Sequence, residues 1–182
     1  MSARHRILLA CGASAALHKA CELASQLTQD GQAVRVLLTP RAAELVRPQL
    51  FEALTGEPAF VSEFGPERRA GMDHIELARW AQLFLVAPAS ADLVARLALG
   101  LADDLVTTVA LALAPGVKRL LCPAMNPNML AAAPVARNLA QLSRDGWQVL
   151  EPGAGRLACG DEGRGRLAEP AEIAAAVRHL LG

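Results

Sequence analysis

A glycine-rich segment near the end of the chain surrounds a cysteine in a setting that suits chemistry. Residues 153–166 contain five glycines, Cys159, and arginines at positions 156, 164 and 166. Glycine loses the most backbone freedom on ordering, so this composition predicts a loop rather than a helix or a central strand. Guanidinium groups favour a thiolate and bind anions. Cys159 is therefore either a reactive residue or an ordinary thiol on a surface loop.

A histidine at position 74 is the second residue whose type and place suit catalysis. Of the four histidines, His5 lies near the start of the chain, and His18 and His179 fall in helical patterns. His74 precedes an amphipathic stretch that leads into an apolar run beginning at Leu83. Imidazole titrates near neutral pH and is the usual general base. A single histidine is more often structural, so both roles stay open on this pattern alone.

The segment Pro-Ala-Met-Asn-Pro-Asn-Met at 123–129 is the third feature of the sequence that suits chemistry. Pro127 disfavours the helical region for the residue before it and so predicts an extended Asn126. An amide fixed in this way can donate its NH₂ hydrogens to a carboxylate. The alternative is a proline-rich turn whose asparagines simply tolerate irregular backbone.

Short apolar runs alternate with helical patterns along the whole chain. The runs predict strands at 7–11, 34–38, 83–87, 119–122 and 148–150, and the patterns predict helices at 15–29, 91–99, 105–114, 130–144 and 170–181. This alternation predicts a parallel sheet with helices on both faces, a Rossmann-like α/β fold. A chain of 182 residues suits one domain, which we expect to span 1–182.

Composition narrows the class of protein. Apolar residues make up 53% and the formal net charge is zero, which is typical of a globular protein and gives no electrostatic reason to expect nucleic acid or a membrane surface as a partner. The chain has no run of about 18 apolar residues, so no membrane span is expected. The absence of a targeting segment and of any Cys-x-x-Cys pair predicts a cytoplasmic protein without a zinc site; the cysteines are at 11, 21, 122 and 159.

Four segments that follow predicted strands are made of small residues and hydroxyls. They are 12–14, 39–40, 88–92 and 123–126, and the first and third lead into helix N-termini. Ligands of parallel sheets bind at these strand ends, and helix N-termini favour phosphate. Because Gly-x-Gly-x-x-Gly is absent, a mononucleotide fits better than a dinucleotide. Tight turns with no ligand are the alternative.

Five segments in order resemble the flavin-containing cysteine decarboxylases. They are His74 with 79–81, and the segments 87–92, 100–105, 123–129 and 158–161. The resemblance covers nearly the whole chain and implies a Rossmann-like, flavodoxin-like fold that binds FMN. One departure lies in the first turn, Gly12-Ala13-Ser14, after which Lys19 comes one place later than the lysine of the family pattern.

The resemblance also implies an activity. Flavin chemistry of this kind oxidises a substrate CH₂–SH group to a thioaldehyde, whose C=S bond accepts the electrons released with CO₂. We expect decarboxylation of 4′-phosphopantothenoylcysteine to 4′-phosphopantetheine in coenzyme A biosynthesis. The alternatives are a peptidyl-cysteine decarboxylase of ribosomal peptide modification and a non-catalytic flavin-binding regulatory subunit. Cys159 in its Ala-Cys-Gly-Asp setting favours the first.

Residue roles are carried over from the family position by position. The catalytic residues are His74, which assists the oxidation, and Cys159, which donates a proton late in the reaction. Asn126 binds the substrate carboxylate, and the other residues expected at the substrate are Arg79, Met129, Ala158 and Gly160. The expected FMN contacts are Gly12, Ala13, Ser14, Thr39, Ser90, Ala91, Asp92, Leu93, Ala124 and Met125. The resemblance further implies a homotrimer or an assembly of trimers.

Overall fold

The computed structural model describes residues 4–64, 72–156, 160 and 162–182. The strands are β1 (Arg6–Cys11), β2 (Ala33–Leu38), β3 (Ala59–Phe60), β4 (Leu83–Ala89), β5 (Lys118–Pro123), β6 (Gln148–Val149), β7 (Gly153–Arg156) and β8 (Glu162–Arg166). The helices are α1 (Leu17–Gln29), α2 (Pro40–Leu45), α3 (Pro48–Thr55), α4 (Asp73–Trp80), α5 (Ala91–Leu99), α6 (Leu105–Ala112), α7 (Pro127–Ala131), α8 (Ala133–Arg144) and α9 (Pro170–Leu181).

Six of the strands form one sheet in the order β3-β2-β1-β4-β5-β6, and every neighbouring pair is parallel. This is the strand order of a doubly wound Rossmann sheet, which confirms the predicted fold class. The order reverses between β1 and β4, and ligands of such sheets bind outside the carboxyl ends of strands at that point. The fold therefore predicts a ligand site at the segments that follow Cys11 and Ala89.

Two buried apolar clusters lie on opposite faces of the sheet. Ile7, Leu9 and Cys11 belong to one cluster, which includes buried residues of α1, α3 and α9. Leu8 and Ala10 belong to the other, which includes residues of α4, α5, α6 and α8. Because side chains alternate across a strand, a strand buried on both faces must be apolar at every position. The continuous apolar runs that predicted the strands have this cause.

The predicted helix over 130–144 is wrong in its first part, because two helices occupy this region. Helix α7 ends at Ala131 and α8 begins at Ala133, with the intervening Ala132 in an extended conformation (φ −62°, ψ 132°). Pro134 lies in the first turn of α8, where its missing N–H costs nothing, but it could not lie inside a continuous helix. The short helices α2 and α3 were not predicted, and each begins at a proline in the same way.

The glycine-rich segment is not the loop that its composition predicts. Strands β7 and β8 pair antiparallel as a separate ribbon. Gly155, Gly163 and Gly165 have φ values of 135°, 154° and 145°, so this ribbon uses conformations that only glycine adopts readily. The ribbon is anchored where the Met125 N–H donates to the Gly165 carbonyl at 2.9 Å. Ala158 and Cys159 lie outside the described residues.

In the part of the chain that the structure describes, no helix combines the length and the apolar character needed to cross a bilayer.

Candidate flavin and substrate site

The turn after β1 approaches the end of β4 very closely. The Gly12 N–H donates to the Pro88 carbonyl at 2.9 Å. A Cβ atom at this position would lie 2.9 Å from the same carbonyl oxygen and 3.1 Å from Leu93 Cδ2. Glycine is therefore required at this position because a side chain would clash with Pro88 and Leu93, and not because the backbone has an unusual φ. The contact brings the two strand ends of the switch point together.

Two cavities open at this edge of the sheet and share Ala13, Ser90, Ala91 and Met129 in their linings. The first, here the Asn126 cavity, has a volume of about 460 Å³. The second, the Thr39 cavity, has a volume of about 370 Å³. The predicted site residues in the Asn126 cavity are Ala13, Ser14, Ser90, Ala91, Ala124, Met125, Asn126 and Met129. Those in the Thr39 cavity are Ala13, Thr39, Ser90, Ala91, Asp92 and Met129.

Three hydroxyl oxygens at this edge accept hydrogen bonds from backbone N–H groups. Thr39 Oγ1 accepts from the Ala42 N–H at 3.2 Å, and Ser90 Oγ accepts from the Leu93 N–H at 3.3 Å. Ser14 Oγ accepts from an N–H just before α1 at 3.2 Å. Each contact fixes its side chain through an acceptor lone pair, and a hydroxyl so held can donate to an anionic oxygen. The arrangement suits a phosphate.

Asn126 is extended, as its position before Pro127 predicts, with φ −56° and ψ 148°. Its side-chain oxygen accepts from the Asn128 N–H at 2.8 Å and so caps α7. With the oxygen engaged in the cap, the amide nitrogen is the atom whose hydrogens suit a carboxylate. The structure therefore gives this amide a defined direction at the edge of the Asn126 cavity.

Four basic residues line the Asn126 cavity. They are His18, Lys19, Arg156 and Arg166. The two arginines come from the glycine-rich segment, whose guanidinium groups the sequence predicts to bind anions, whereas the histidine and the lysine were not predicted. Glu169 bridges two of them: its Oε1 is 2.7 Å from Lys19 Nζ and 3.3 Å from Arg166 Nη2. The hydrogen bond from Lys19 holds the pKa of Glu169 below its usual range. In the sequence, the only indication that Lys19 lies at the site was its position shortly after the Gly12-Ala13-Ser14 turn.

An ion-pair cluster borders the Thr39 cavity. Arg96 lies 3.1 Å from Asp92, 2.9 Å from Asp103 and 2.6 Å from Asp104. Burial alone lowers the pKa of Arg96, but hydrogen bonds with Asp104 and then Asp103 raise it above its ordinary value. Asp104 also accepts from the Thr107 N–H at 2.9 Å and so caps α6. This cluster ties the residues around Gly100 to α5.

His74 lies in the first turn of α4. The sequence predicted a place before the amphipathic stretch, and that prediction is wrong. Asp73 and Glu76 in that turn favour the helix start there, because acidic side chains match the positive end of the helix dipole. His74 Nδ1 is 2.5 Å from Glu63 Oε1, a partner that the sequence gave no reason to expect. In the part of the chain that the structure describes, neither His74 nor Arg79 lines the two cavities.

Three other predicted residues are placed outside the cavity linings. Leu93 is fully buried in the core, so its side chain is a packing group, and only its N–H reaches the site edge. Gly12 contributes its close backbone approach. Gly160 is exposed with φ 93°. Ala158 and Cys159 fall outside the described residues, so their roles stay predictions.

A family model described as Flavoprotein matches residues 1–182. The chain belongs to the flavoprotein family. This confirms the predicted resemblance to flavin-containing proteins. The Coenzyme A biosynthesis bifunctional protein CoaBC of Vibrio vulnificus (strain YJ016) is 42% identical over 170 residues, which are 93% of this chain and 42% of that protein. The chain thus spans less than half the length of the curated relatives it matches.

Solved structures extend the likeness over nearly the whole fold. A mutant PPC decarboxylase complexed with pantothenoylaminoethenethiol is 30% identical, with a TM-score of 0.84 and coverage of 98% of this chain and 99% of that one. The FMN-dependent cysteine decarboxylase SpaF is 27% identical, with a TM-score of 0.80 and coverage of 98% of both chains.

Proposed function

We propose that this chain is an FMN-dependent carboxy-lyase that converts 4′-phosphopantothenoylcysteine to 4′-phosphopantetheine, and that residues 1–182 act as one domain. The observation that carries the proposal is the cavity at the switch point. It combines the oriented Asn126 amide with four basic side chains next to a phosphate-compatible turn. The similarity to PPC decarboxylase over nearly the full length of both chains supports the same conclusion.

The residues at the strand ends suit FMN. The Gly12 turn leaves no room for a side chain, the Thr39 and Ser90 hydroxyls are held in place as acceptors of backbone N–H groups and can still donate their own hydrogen, and the N-termini of α1 and α5 favour a phosphate. When bound, FMN supplies the group that takes up a hydride from the substrate carbon next to sulfur and later returns it. The reaction is redox-neutral as a whole, so no external oxidant is needed.

The chain's own residues bind the substrate and move protons. The Asn126 amide donates to the substrate carboxylate and holds it in place until CO₂ leaves. His74 accepts the thiol proton during the oxidation, and Cys159 donates a proton to the enethiol carbon in the final reduction. Loss of CO₂ from the thioaldehyde gives that enethiol, because the C=S bond takes up the electrons of the broken C–C bond.

The basic lining of the Asn126 cavity favours a phosphorylated substrate over a peptide. Lys19, Arg156 and Arg166 bring three basic side chains to the cavity, and in the described part of the chain Glu169 is the carboxylate that bridges two of them. An anionic group on the substrate fits this surplus, whereas a peptide C-terminus needs only the carboxylate contact. Peptidyl-cysteine decarboxylation is the second candidate, because the Asn126 amide could hold the carboxylate of a peptide C-terminus in the same way.

The separation of His74 from Asn126 supports a site completed by a second copy of the chain. The two residues share neither cavity in the described part of one chain, although the proposed reaction needs both. Leu99, Leu101 and Leu111 are large apolar side chains that are 64%, 49% and 59% exposed. We propose that the functional unit is a homotrimer or an assembly of trimers. The cytoplasmic location remains a prediction.

Turnover with two substrates tests the proposal. Purified protein saturated with FMN should release CO₂ from 4′-phosphopantothenoylcysteine far faster than from a peptide ending in cysteine. Preference for the peptide would replace the first function with the second. No release of CO₂ from either substrate, with FMN bound, would leave the non-catalytic flavin-binding subunit as the better reading.

A further inference from the structure

We propose that Glu63 is a positioning residue that fixes the orientation and tautomer of His74; the inference rests on the proposed function for the step that His74 performs. His74 Nδ1 and Glu63 Oε1 are 2.5 Å apart. Their side chains are only 22% and 14% exposed, so the pair is largely removed from water. A contact of this kind is more constrained than a solvated ion pair on a surface.

The contact determines which ring nitrogen can accept a proton. A carboxylate only accepts hydrogen bonds, so the Nδ1 atom next to Glu63 must carry the hydrogen. In a neutral imidazole the other nitrogen, Nε2, is then the acceptor. Glu63 thereby presents His74 as a base at Nε2. The same logic applies wherever a carboxylate orients a catalytic histidine.

No other charged group in the described residues takes this place. Helix α4 itself carries Asp73, Glu76 and Arg79, none of which is hydrogen-bonded to the ring in the described part of the chain. Helix α6, which packs against α4, has only uncharged side chains between Leu105 and Ala112. Glu63 comes from the segment after β3, eleven positions before His74, so its contact is made by the fold and not by helical spacing.

A purely structural role for the pair makes different predictions. In that case Glu63 would fasten the segment after β3 to α4, and its loss would lower stability or FMN content without acting through His74. A double-mutant cycle separates the two roles, because residues that act as one unit are not additive. The variants are Glu63→Gln, His74→Asn and the pair together.

We expect Glu63→Gln to slow anaerobic flavin reduction at saturating substrate by about 10- to 10²-fold, less than the ~10²–10⁴-fold loss expected for the base itself. In the His74→Asn background the same change should have no further effect. Glu63→Asp should recover part of the rate. The matched control is Glu57→Gln, which removes another part-buried carboxylate, paired with Arg35 at 3.1 Å, and should leave the rate unchanged.

A second readout does not depend on turnover. With ¹⁵N-labelled histidine, and with the His74 signal identified from its loss in His74→Asn, the parent should show the tautomer protonated at Nδ1. Glu63→Gln should show a mixture of tautomers. Equal slowing by Glu63→Gln in both backgrounds, or an unchanged tautomer, would overturn the inference. If the parent fails to turn over, the proposed function fails, and the ¹⁵N spectrum still decides whether Glu63 sets the tautomer.

Discussion

Replacing Gly12 with alanine is expected to destabilise the turn after β1, where it contacts the end of β4, and to weaken FMN binding. The added Cβ would lie 2.9 Å from the Pro88 carbonyl oxygen, a backbone atom that cannot rotate away, and 3.1 Å from Leu93 Cδ2. Pro88 belongs to β4 and the fully buried Leu93 to α5, so neither neighbour yields easily and the turn itself must move. Overpacking of this kind typically costs about 1–3 kcal/mol.

This loss of stability can be tested by two measurements, the free energy of unfolding and the FMN Kd. The free energy of unfolding of Gly12→Ala, from denaturant titration of FMN-free protein, should fall by about 1–3 kcal/mol. If the displaced turn also loses its fit to the phosphate, the FMN Kd should rise by roughly 10-fold for each 1.4 kcal/mol of lost contact. The control is Gly116→Ala, where an added Cβ meets nothing within 4 Å. Equal stability and FMN affinity in parent and Gly12→Ala would refute the reasoning.

Three further substitutions test the assigned roles. His74→Asn should keep FMN but leave it oxidised when substrate is added without oxygen, with flavin reduction slowed by ~10²–10⁴-fold; bleaching at the parent rate would make His74 structural. Asn126→Asp should raise the substrate Kd, because a carboxylate repels the substrate carboxylate that the amide should bind, and unchanged affinity in a binding titration would remove Asn126 from that role. Cys159→Ser should release CO₂ but accumulate reduced flavin and an enethiol two hydrogens lighter than the normal thiol, as seen by mass spectrometry; normal thiol at the parent rate would exclude Cys159 from the last step.

Much of the sheet could be predicted from the chain because its strands are buried on both faces. The runs at 7–11 and 34–38 are apolar at every or nearly every position, so each strand is visible without knowledge of its neighbours. The short helices α2 and α3 gave a weaker signal. Their starts depend on a single cap or proline, such as Thr39 with Pro40, and their few residues show little periodicity.

The site was predictable where a residue's own sequence neighbours set its conformation. Asn126 is extended because Pro127 follows it, and Ser90 caps α5 at the end of β4. His18 and Lys19 of the Asn126 cavity were missed, because Lys19 comes near Arg166 only in the fold, where Glu169 bridges the two side chains. Glu63 was missed for the same reason, since no local pattern links it to His74.

The glycine-rich segment shows how composition alone can mislead. Its glycines predict a loop in place of a helix or a central strand, yet Gly163 allows the ribbon strand β8 to lie against Pro127, where a Cβ would lie 3.0 Å from the proline ring. The residues that disfavour a helix are those that allow an extended ribbon to pack this closely.

The central claim is that this chain removes CO₂ from a cysteine-derived carboxylate by a reaction that is redox-neutral overall. The most direct measurement is an anaerobic reaction of FMN-loaded protein with 4′-phosphopantothenoylcysteine, followed by quantification of CO₂ and of the organic product. We predict one CO₂ and one 4′-phosphopantetheine for each substrate consumed, with FMN oxidised at the end and no added oxidant or reductant. A requirement for an external electron acceptor, or a final enethiol product with FMN left reduced, would contradict this account.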